Sequence, residues 1–383
     1  MTAIPLSSPD IGDEEVRAVL DVLRSGRLSW GPSLKAFEAA FAHYVGTACA
    51  VGVSSGTAAL HLSLLAAGIG AGDLVVTTPL SFVSSASAML YVGARPDFVD
   101  VEPGSGNLDP NRVAERVRVL RSRGRPVRAL LPVHLFGHPA AMDPLLDIAR
   151  EHDLLVIEDA CEALGSEYRG RRVGSFGHAA AFGFYPNKQL TTGEGGMIAT
   201  SDPQWADLFE SLRNQGRGVG DAEALSVRLG YNYRLDELSA ALGRVQLGRF
   251  GEILEKRAQV VEWYRLRLEG TPGISLPAVS LETTRMSWFL FRVILSGPEE
   301  RERVGRRLAE RGIPSRAYFT PIHLHPYYRE QFGFGEGSFP VAEGLGSTSL
   351  ALPFSSVMSE EQVDTVCREL RQVMELPGVT VRS

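Results

Sequence analysis

The chain has 383 residues, 44% hydrophobic and 22% charged, with a formal net charge of -6 at pH 7. At roughly 100–200 residues per domain this is a globular protein of two or three domains, which excludes a fibrous or disordered chain. Its arginines are interspersed with acids and give nucleic acid no clustered basic face, and no run approaches the ~18 uninterrupted apolar residues of a membrane span.

Read in chain order, apolar or β-branched runs alternate with segments of helical period. Helices are predicted over Glu14–Leu23 and Ser33–Tyr44, a strand over Cys49–Val53 and a helix over Thr57–Ala67. Strands follow at Leu74–Thr78, Pro96–Val101, Ala129–His134 and Leu154–Ala160, with helices at Ser84–Val92 and Pro144–His152 between them. Such alternation predicts an α/β fold, a mostly parallel sheet covered by helices on both faces. After about residue 245 the pattern changes to a long helix Val245–Leu268, a strand Phe289–Leu295 and helices at Glu300–Arg311 and Ser359–Glu375. The expected division is therefore a large domain 1–245 and a smaller α+β domain 246–383. The N-terminus shows neither a basic nor an apolar leader signature, and Cys49, Cys161 and Cys367 form no disulfide or zinc pattern, so cytoplasm is expected.

Ligands of open parallel sheets bind beyond the carboxyl ends of the strands, so those ends are where candidate chemistry is expected. GVSSGTAAL passes from strand to helix with Ser55, Gly56 and Thr57 at the helix start, a position suited to an anion and equally to an ordinary cap. The same run matches G-x-S-x-G, which offers Ser54 as a hydrolase nucleophile. LLVIEDACEALG ends an apolar strand with Glu158 and Asp159, and a buried carboxylate needs a positive partner or solvent; a helix cap or loop acid is the plainer reading. Only three of the 39 basic residues are lysines, and Lys35 and Lys256 sit in helical periodicity beside acids. Lys188 instead lies between an apolar run and Gly193, Gly195 and Gly196, as Schiff-base chemistry requires. The segment SRAYFTPIHLHPYY crowds Tyr318, His323 and His325 among prolines, which suits a substrate-lining loop; no third ligand accompanies the two histidines, and no metal is expected.

The order of GPSLKAFE, SSGTAAL, SFVSSASA, PVHLFG, IEDACEALG, FGFYPNKQLTTGEGG, GYNYRLDELSAALG and RAYFTPIH resembles the DegT/DnrJ/EryC1/StrS sugar aminotransferases, a branch of the fold type I pyridoxal-phosphate (PLP) enzymes. That resemblance implies that Lys188 holds PLP covalently and moves the proton, that Asp159 holds the pyridine nitrogen protonated, and that Phe82 stacks on the ring. It further implies that Ser55, Gly56 and Thr57 bind the phosphate, that Asn232 reaches the phosphate of a partner subunit's cofactor in a homodimer, and that His323, Tyr318 and Trp30 line the sugar-nucleotide site. Two positions depart from the family pattern. Gly183 stands where many members have a phosphate-binding serine, and Glu162 stands where His or Gln is common near the cofactor's phenolic oxygen. A carboxylate there is expected to be protonated or turned toward another donor. Glu162 and the TTGEGG loop resemble members that aminate C4 of 4-keto-6-deoxy sugars, and enzymes similar to GDP-perosamine synthase in particular. The implied reaction is transfer of an amino group from L-glutamate, leaving 2-oxoglutarate, to a GDP-linked keto sugar, with UDP- or dTDP-linked sugars as alternatives. Outside that class, a serine hydrolase using Ser54 or a non-catalytic cofactor- or sugar-nucleotide-binding protein is the rival reading.

Overall fold

The computed structural model describes residues 4–218 and 225–375. The first part of the chain runs α1 (Asp13–Ser25), α2 (Pro32–Val45), β1 (Cys49–Val53), α3 (Gly56–Ala66), β2 (Leu74–Thr77), α4 (Ser84–Tyr91), β3 (Arg95–Phe98), α5 (Pro110–Ser122), β4 (Val127–Leu131), α6 (Met142–Glu151) and β5 (Leu155–Asp159). Two short strands follow, β6 (Glu167–Tyr168) and β7 (Arg171–Arg172), and then β8 (Ala179–Gly183), β9 (Gly196–Thr200), α7 (Pro203–Arg213), α8 (Glu237–Gly248) and α9 (Phe250–Leu268). The remainder is β10 (Ile274–Ser275), β11 (Thr283–Arg285), β12 (Phe291–Leu295), α10 (Pro298–Glu310), α11 (Pro326–Phe332), α12 (Pro340–Thr348), β13 (Ser349–Leu352) and α13 (Glu360–Glu375).

The central sheet has seven strands in the order β1-β9-β8-β5-β4-β2-β3, and only β9 runs against the rest. Alternate residues of its strands feed opposite cores, as two covered faces demand. Ala129, Leu131, Ile157 and Ala181 pack with α3 and α7, while Leu130 and Val156 pack with α5 and α6, and Ala180 and Phe182 with α2 and α8. A separate core joins Val260, Tyr264, Phe291, Leu350 and Val366 of α9, β12, β13 and α13. Within α9 the side chains change allegiance, Phe250 to Leu254 facing the sheet core and Val260 onward the second one.

The single helix expected from Val245 to Leu268 is two, broken at Arg249, whose guanidinium reaches back to Asp10 and Glu15 at 2.8 and 2.6 Å. Helices α5, α7, α11 and α12 lie outside the predicted helical spans, and α5 and α7 are each opened by an aspartate cap and a proline: Asp109–Pro110 and Asp202–Pro203. The strand predicted at Ala129–His134 starts and ends earlier, at Val127–Leu131, because the next residues turn through Phe136, whose φ is 57°. Among the described residues no helix is long and apolar enough to cross a membrane, and no group of three or more His, Cys, Asp or Glu converges as a metal would need.

Candidate active site

The carboxyl ends of β1, β5 and β8 meet on one side of the sheet, and the segments that leave them carry the residues of interest. At the end of β1, Ser55 caps α3, its Oγ accepting from Ala58 N–H at 3.0 Å. The amides of Gly56 and Thr57 in the first turn have no acceptor within the helix, and the positive dipole end adds to their pull on an anion. Thr57 donates its hydroxyl to Ser84 Oγ at 2.9 Å.

Space around that helix start is set by glycine. A Cβ on Gly56 would lie 2.7 Å from Cys161 Sγ and 3.2 Å from Gly183 Cα, and one on Gly196 would lie 2.5 Å from the Ser55 carbonyl. Three chain segments thus close on the helix terminus to distances that only glycine allows. Gly183 itself is under no such restriction, since its Cβ would make ordinary contacts at 3.6 Å with Cys161.

At the end of β5, Asp159 is buried, accepts the Ser85 hydroxyl at 2.7 Å and the Cys161 amide at 3.2 Å, and pairs with no Lys, Arg or His among the described residues. Two residues on, the Cys161 thiol is pushed well above its ordinary range by burial and by Asp159, so it is a neutral group packed on the Ala181 carbonyl. Glu162 is also buried. One oxygen accepts the Phe136 amide at 3.0 Å and the other lies 3.6 Å from Lys188 Nζ. Burial raises its carboxyl above the usual range and Lys188 opposes that rise. Glu162 is expected from the sequence to be protonated or turned toward another donor; in this structure it accepts the Phe136 amide and faces Lys188.

Lys188 sits in the turn between β8 and β9, its amide bonded to Tyr185 O at 2.9 Å. The next side chain anchors the turn: Gln189 is buried and donates to the Glu162 carbonyl at 2.6 Å and Ser287 Oγ at 2.8 Å. Lys188 Nζ lies 4.2 Å from the centre of the Phe289 ring, a contact the sequence did not suggest. Phe289 and Trp288 are held in turn by Arg257, which is fully buried, donates to both their carbonyls at 2.8 Å and is lowered by desolvation to about 9. Beside the turn is a cavity of about 290 Å³ whose wall includes Asn187, Phe289, Arg316 and Tyr318.

The other expected residues are placed as follows. Phe82, 56% exposed, stands just before α4 with its ring 6.3 Å from that of Phe319. Asn232 is exposed on the stretch that pairs with Asn214, next to Tyr233, whose carbonyl accepts the Ser54 amide at 2.9 Å. Trp30 packs on Arg213, away from the cavity wall. His323 is enclosed, Nε2 at 3.0 Å from Glu343 Oε1 and Nδ1 buried without a partner, so it faces no open surface in a single chain. The reading of Ser54 as a nucleophile is overturned: among the described residues no histidine lies within hydrogen-bond reach of its hydroxyl.

The donor set fits PLP: an amine, a buried carboxylate without a cation, and a glycine-lined helix start for a phosphate. The sequence matches the DegT/DnrJ/EryC1/StrS aminotransferase family over residues 9–371. It is 37% identical to GDP-perosamine synthase of Caulobacter vibrioides, over 97% of this chain and 98% of that one. It is 38% identical to dTDP-3-amino-3,4,6-trideoxy-alpha-D-glucose transaminase of Streptomyces venezuelae, over 94% of each. Among solved structures, the PLP form of the putative sugar aminotransferase Spr1654 from Streptococcus pneumoniae superposes with a TM-score of 0.90 at 28% identity, over 97% of this chain and 99% of that one. The chain belongs to the DegT/DnrJ/EryC1/StrS aminotransferase family and is a PLP-dependent nucleotide-sugar aminotransferase.

Proposed function

We propose that the enzyme moves the amino group of L-glutamate to C4 of a nucleotide-linked 4-keto-6-deoxy sugar, releasing 2-oxoglutarate, with GDP-4-keto-6-deoxymannose as first candidate and GDP-perosamine as its product. The observation that carries the C4 reading is Glu162 at 3.6 Å from Lys188 Nζ. Together with the TTGEGG turn, that glutamate resembles the C4-aminating members. A dTDP-linked sugar is the second reading, favoured by the Streptomyces relative.

PLP when bound supplies an electron sink for the carbon that loses its proton. Lys188 Nζ holds the cofactor and gives or takes the proton at the reacting carbon. Glu162 places a buried carboxyl, raised above its usual range by burial, 3.6 Å from that nitrogen. Asp159 is the anion for a protonated ring nitrogen; Ser85 and the Cys161 amide fix both its oxygens in place. Ser55, Gly56 and Thr57 offer hydroxyl and amide donors to the phosphate, and Phe82 a ring face. We further propose a homodimer, in which Asn232 reaches the partner subunit's cofactor. The apolar stretch leading to it supports this, with Leu225, Val227 and Leu229 exposed by 58, 60 and 83%. Cytoplasm follows as the compartment of such substrates.

Visible absorbance of the purified protein, its bleaching by borohydride, and turnover of GDP-, UDP- and dTDP-linked 4-keto sugars test this reading. Lys188→Ala loses the absorbance and lowers turnover by about 10³-fold or more. A colourless wild type that takes up no added PLP would sink the proposal, and preferential turnover of a 3-keto sugar would overturn the assignment to C4.

A further inference from the structure

Lys188 Nζ has two neighbours from segments far apart in the chain. Glu162 Oε1, just past β5, lies 3.6 Å away, longer than a hydrogen bond. The Phe289 ring, just before β12, has its centre 4.2 Å away, within the range where an ammonium is drawn to the negative face of a ring. The other two lysines are placed differently. Lys35 is exposed, and Lys256 pairs with Asp10 at 3.4 Å and Glu252 at 2.6 Å.

Backbone bonds fix Phe289 independently of the lysine. Its amide donates to Phe136 O at 3.1 Å, its carbonyl accepts from Arg257 at 2.8 Å, and the residue is 5% exposed. Gln189 then ties the parts together. Its side-chain amide donates to the Glu162 carbonyl at 2.6 Å and to Ser287 Oγ at 2.8 Å, so the residue after Lys188 is bonded both to the segment that carries the carboxylate and to the segment that carries the ring. Ser287 is held in turn by Ser166, its amide donating at 3.0 Å and the two hydroxyls meeting at 2.8 Å. A flexible four-carbon stem is thereby given one place to put its charge. Phe289 packs in an apolar cluster with Phe136 and Leu290, so bulk alone would justify an apolar residue here. Bulk does not require a ring face toward the amine of the site.

A lysine that leaves and rejoins a cofactor needs a defined position in between. We propose that Phe289 is a positioning residue for Lys188, its ring face holding the charged amine beside Glu162 whenever the lysine is not joined to the cofactor. This rests on the reading of Lys188 as the residue that holds PLP and moves the proton, and it adds the residue that governs where the free amine waits.

The test replaces Phe289 with phenylalanines carrying one, two or three ring fluorines, which nearly keep the shape while drawing negative charge off the ring face. In the full chain without PLP, the rate at which acetic anhydride acylates each of the three lysines is read by peptide mass spectrometry. A weaker hold leaves the charged amine freer to lose its proton and react. Lys188 therefore acylates faster in step with fluorine number, by about 2- to 30-fold in the limit, the range of a cation–π contact, while Lys35 and Lys256 do not change. In the PLP-loaded series kcat falls in the same order, with glutamate and keto-sugar KM within twofold of wild type. Phe289→Leu matches the most fluorinated ring in both readouts.

Lys188 rates that ignore fluorine number would overturn the role, even if Phe289→Leu is inactive, since they leave Phe289 only its bulk. So would a fluorine trend in acylation with kcat unchanged, which leaves a contact without a part in turnover. Borohydride treatment of the PLP-loaded wild type separates this from the underlying reading. Cofactor found on Lys35, on Lys256 or on no lysine overturns the reading of Lys188 and the role of Phe289 with it, whereas cofactor on Lys188 with a flat fluorine series overturns Phe289 alone.

Discussion

Glu158 and Glu162 lie four residues apart, both fully enclosed, and they illustrate two uses of a buried carboxylate. Glu158 accepts the amides of Gly174 and Phe176 at 2.8 Å and Gly177 at 2.7 Å, and Nε2 of His134 at 3.1 Å. The other nitrogen of His134 accepts the Ala140 amide at 3.0 Å, so the ring is neutral with its proton on the nitrogen facing Glu158. No full positive charge is needed: four N–H donors replace the water that the carboxylate lost. Glu162 has one amide and a lysine at 3.6 Å, and its carboxyl is raised by burial. The difference lies in the donors each turn supplies. The 174–177 loop brings three amides to Glu158, whereas Glu162 faces the turn that carries Lys188. A fully satisfied carboxylate holds structure, and an undersatisfied one beside an amine is left free to exchange a proton.

The largest effect expected from this contrast is on stability. Glu158→Gln keeps the shape but turns an NH₂ toward two of the donors, and each buried donor left facing another costs about 1–3 kcal/mol. We expect a loss of roughly 3 kcal/mol in denaturant unfolding, with PLP titration of the folded fraction close to wild type. An unchanged midpoint would show that the loop, not the carboxylate, holds this end of β5.

Glu162→Gln has a smaller effect and a different signature. A carboxyl raised on folding supports the fold fully below its unfolded value of about 4.5, and that support is lost as pH rises through the folded value. Replacing it with glutamine removes this decline. The apo variant should therefore gain relative to wild type as pH rises above about 4.5, and the visible absorbance of the PLP-loaded variant should lose part of its pH dependence. Parallel stability curves and superimposable spectral titrations for the two proteins would break the contrast drawn here.

The sequence made the sheet legible because β1, β2 and β5 are short, largely apolar runs buried on both faces, and the site's lysine legible because only three candidates exist. What it concealed depends on partners far along the chain. Arg249, where α8 gives way to α9, bonds to Asp10 and Glu15, more than two hundred residues earlier, and nothing in the local period of α8 and α9 reveals it. Phe289 under Lys188 has its carbonyl held by Arg257, a buried arginine 32 residues earlier. His323 looked like part of an open lining among prolines, but Glu343, twenty residues on, and the Phe339 ring at 4.7 Å enclose it. Glu158 read as a carboxylate needing a cation or solvent, because backbone amides from a later loop leave no trace in composition.

The smallest effect concerns a donor that β8 does not provide. At Gly183 an added Cβ meets Cys161 Cβ and Sγ at 3.6 Å and Gly56 Cα at 3.7 Å, contacts of ordinary length. Serine therefore fits without displacing the α3 start, and its hydroxyl adds a donor on the side where the phosphate is proposed to bind. A hydrogen bond to a charged group contributes about 1.5–3 kcal/mol, and part of that is offset by the water it replaces, so Gly183→Ser should tighten the PLP Kd by roughly tenfold. Gly183→Ala serves as the control, since it adds the Cβ and the loss of unfolded-chain freedom without the hydroxyl. If alanine tightens the Kd as much as serine does, the gain is rigidity at the end of β8. If neither does, the amides of Gly56 and Thr57 already saturate the phosphate, and this end of the sheet is as fully satisfied as Glu158.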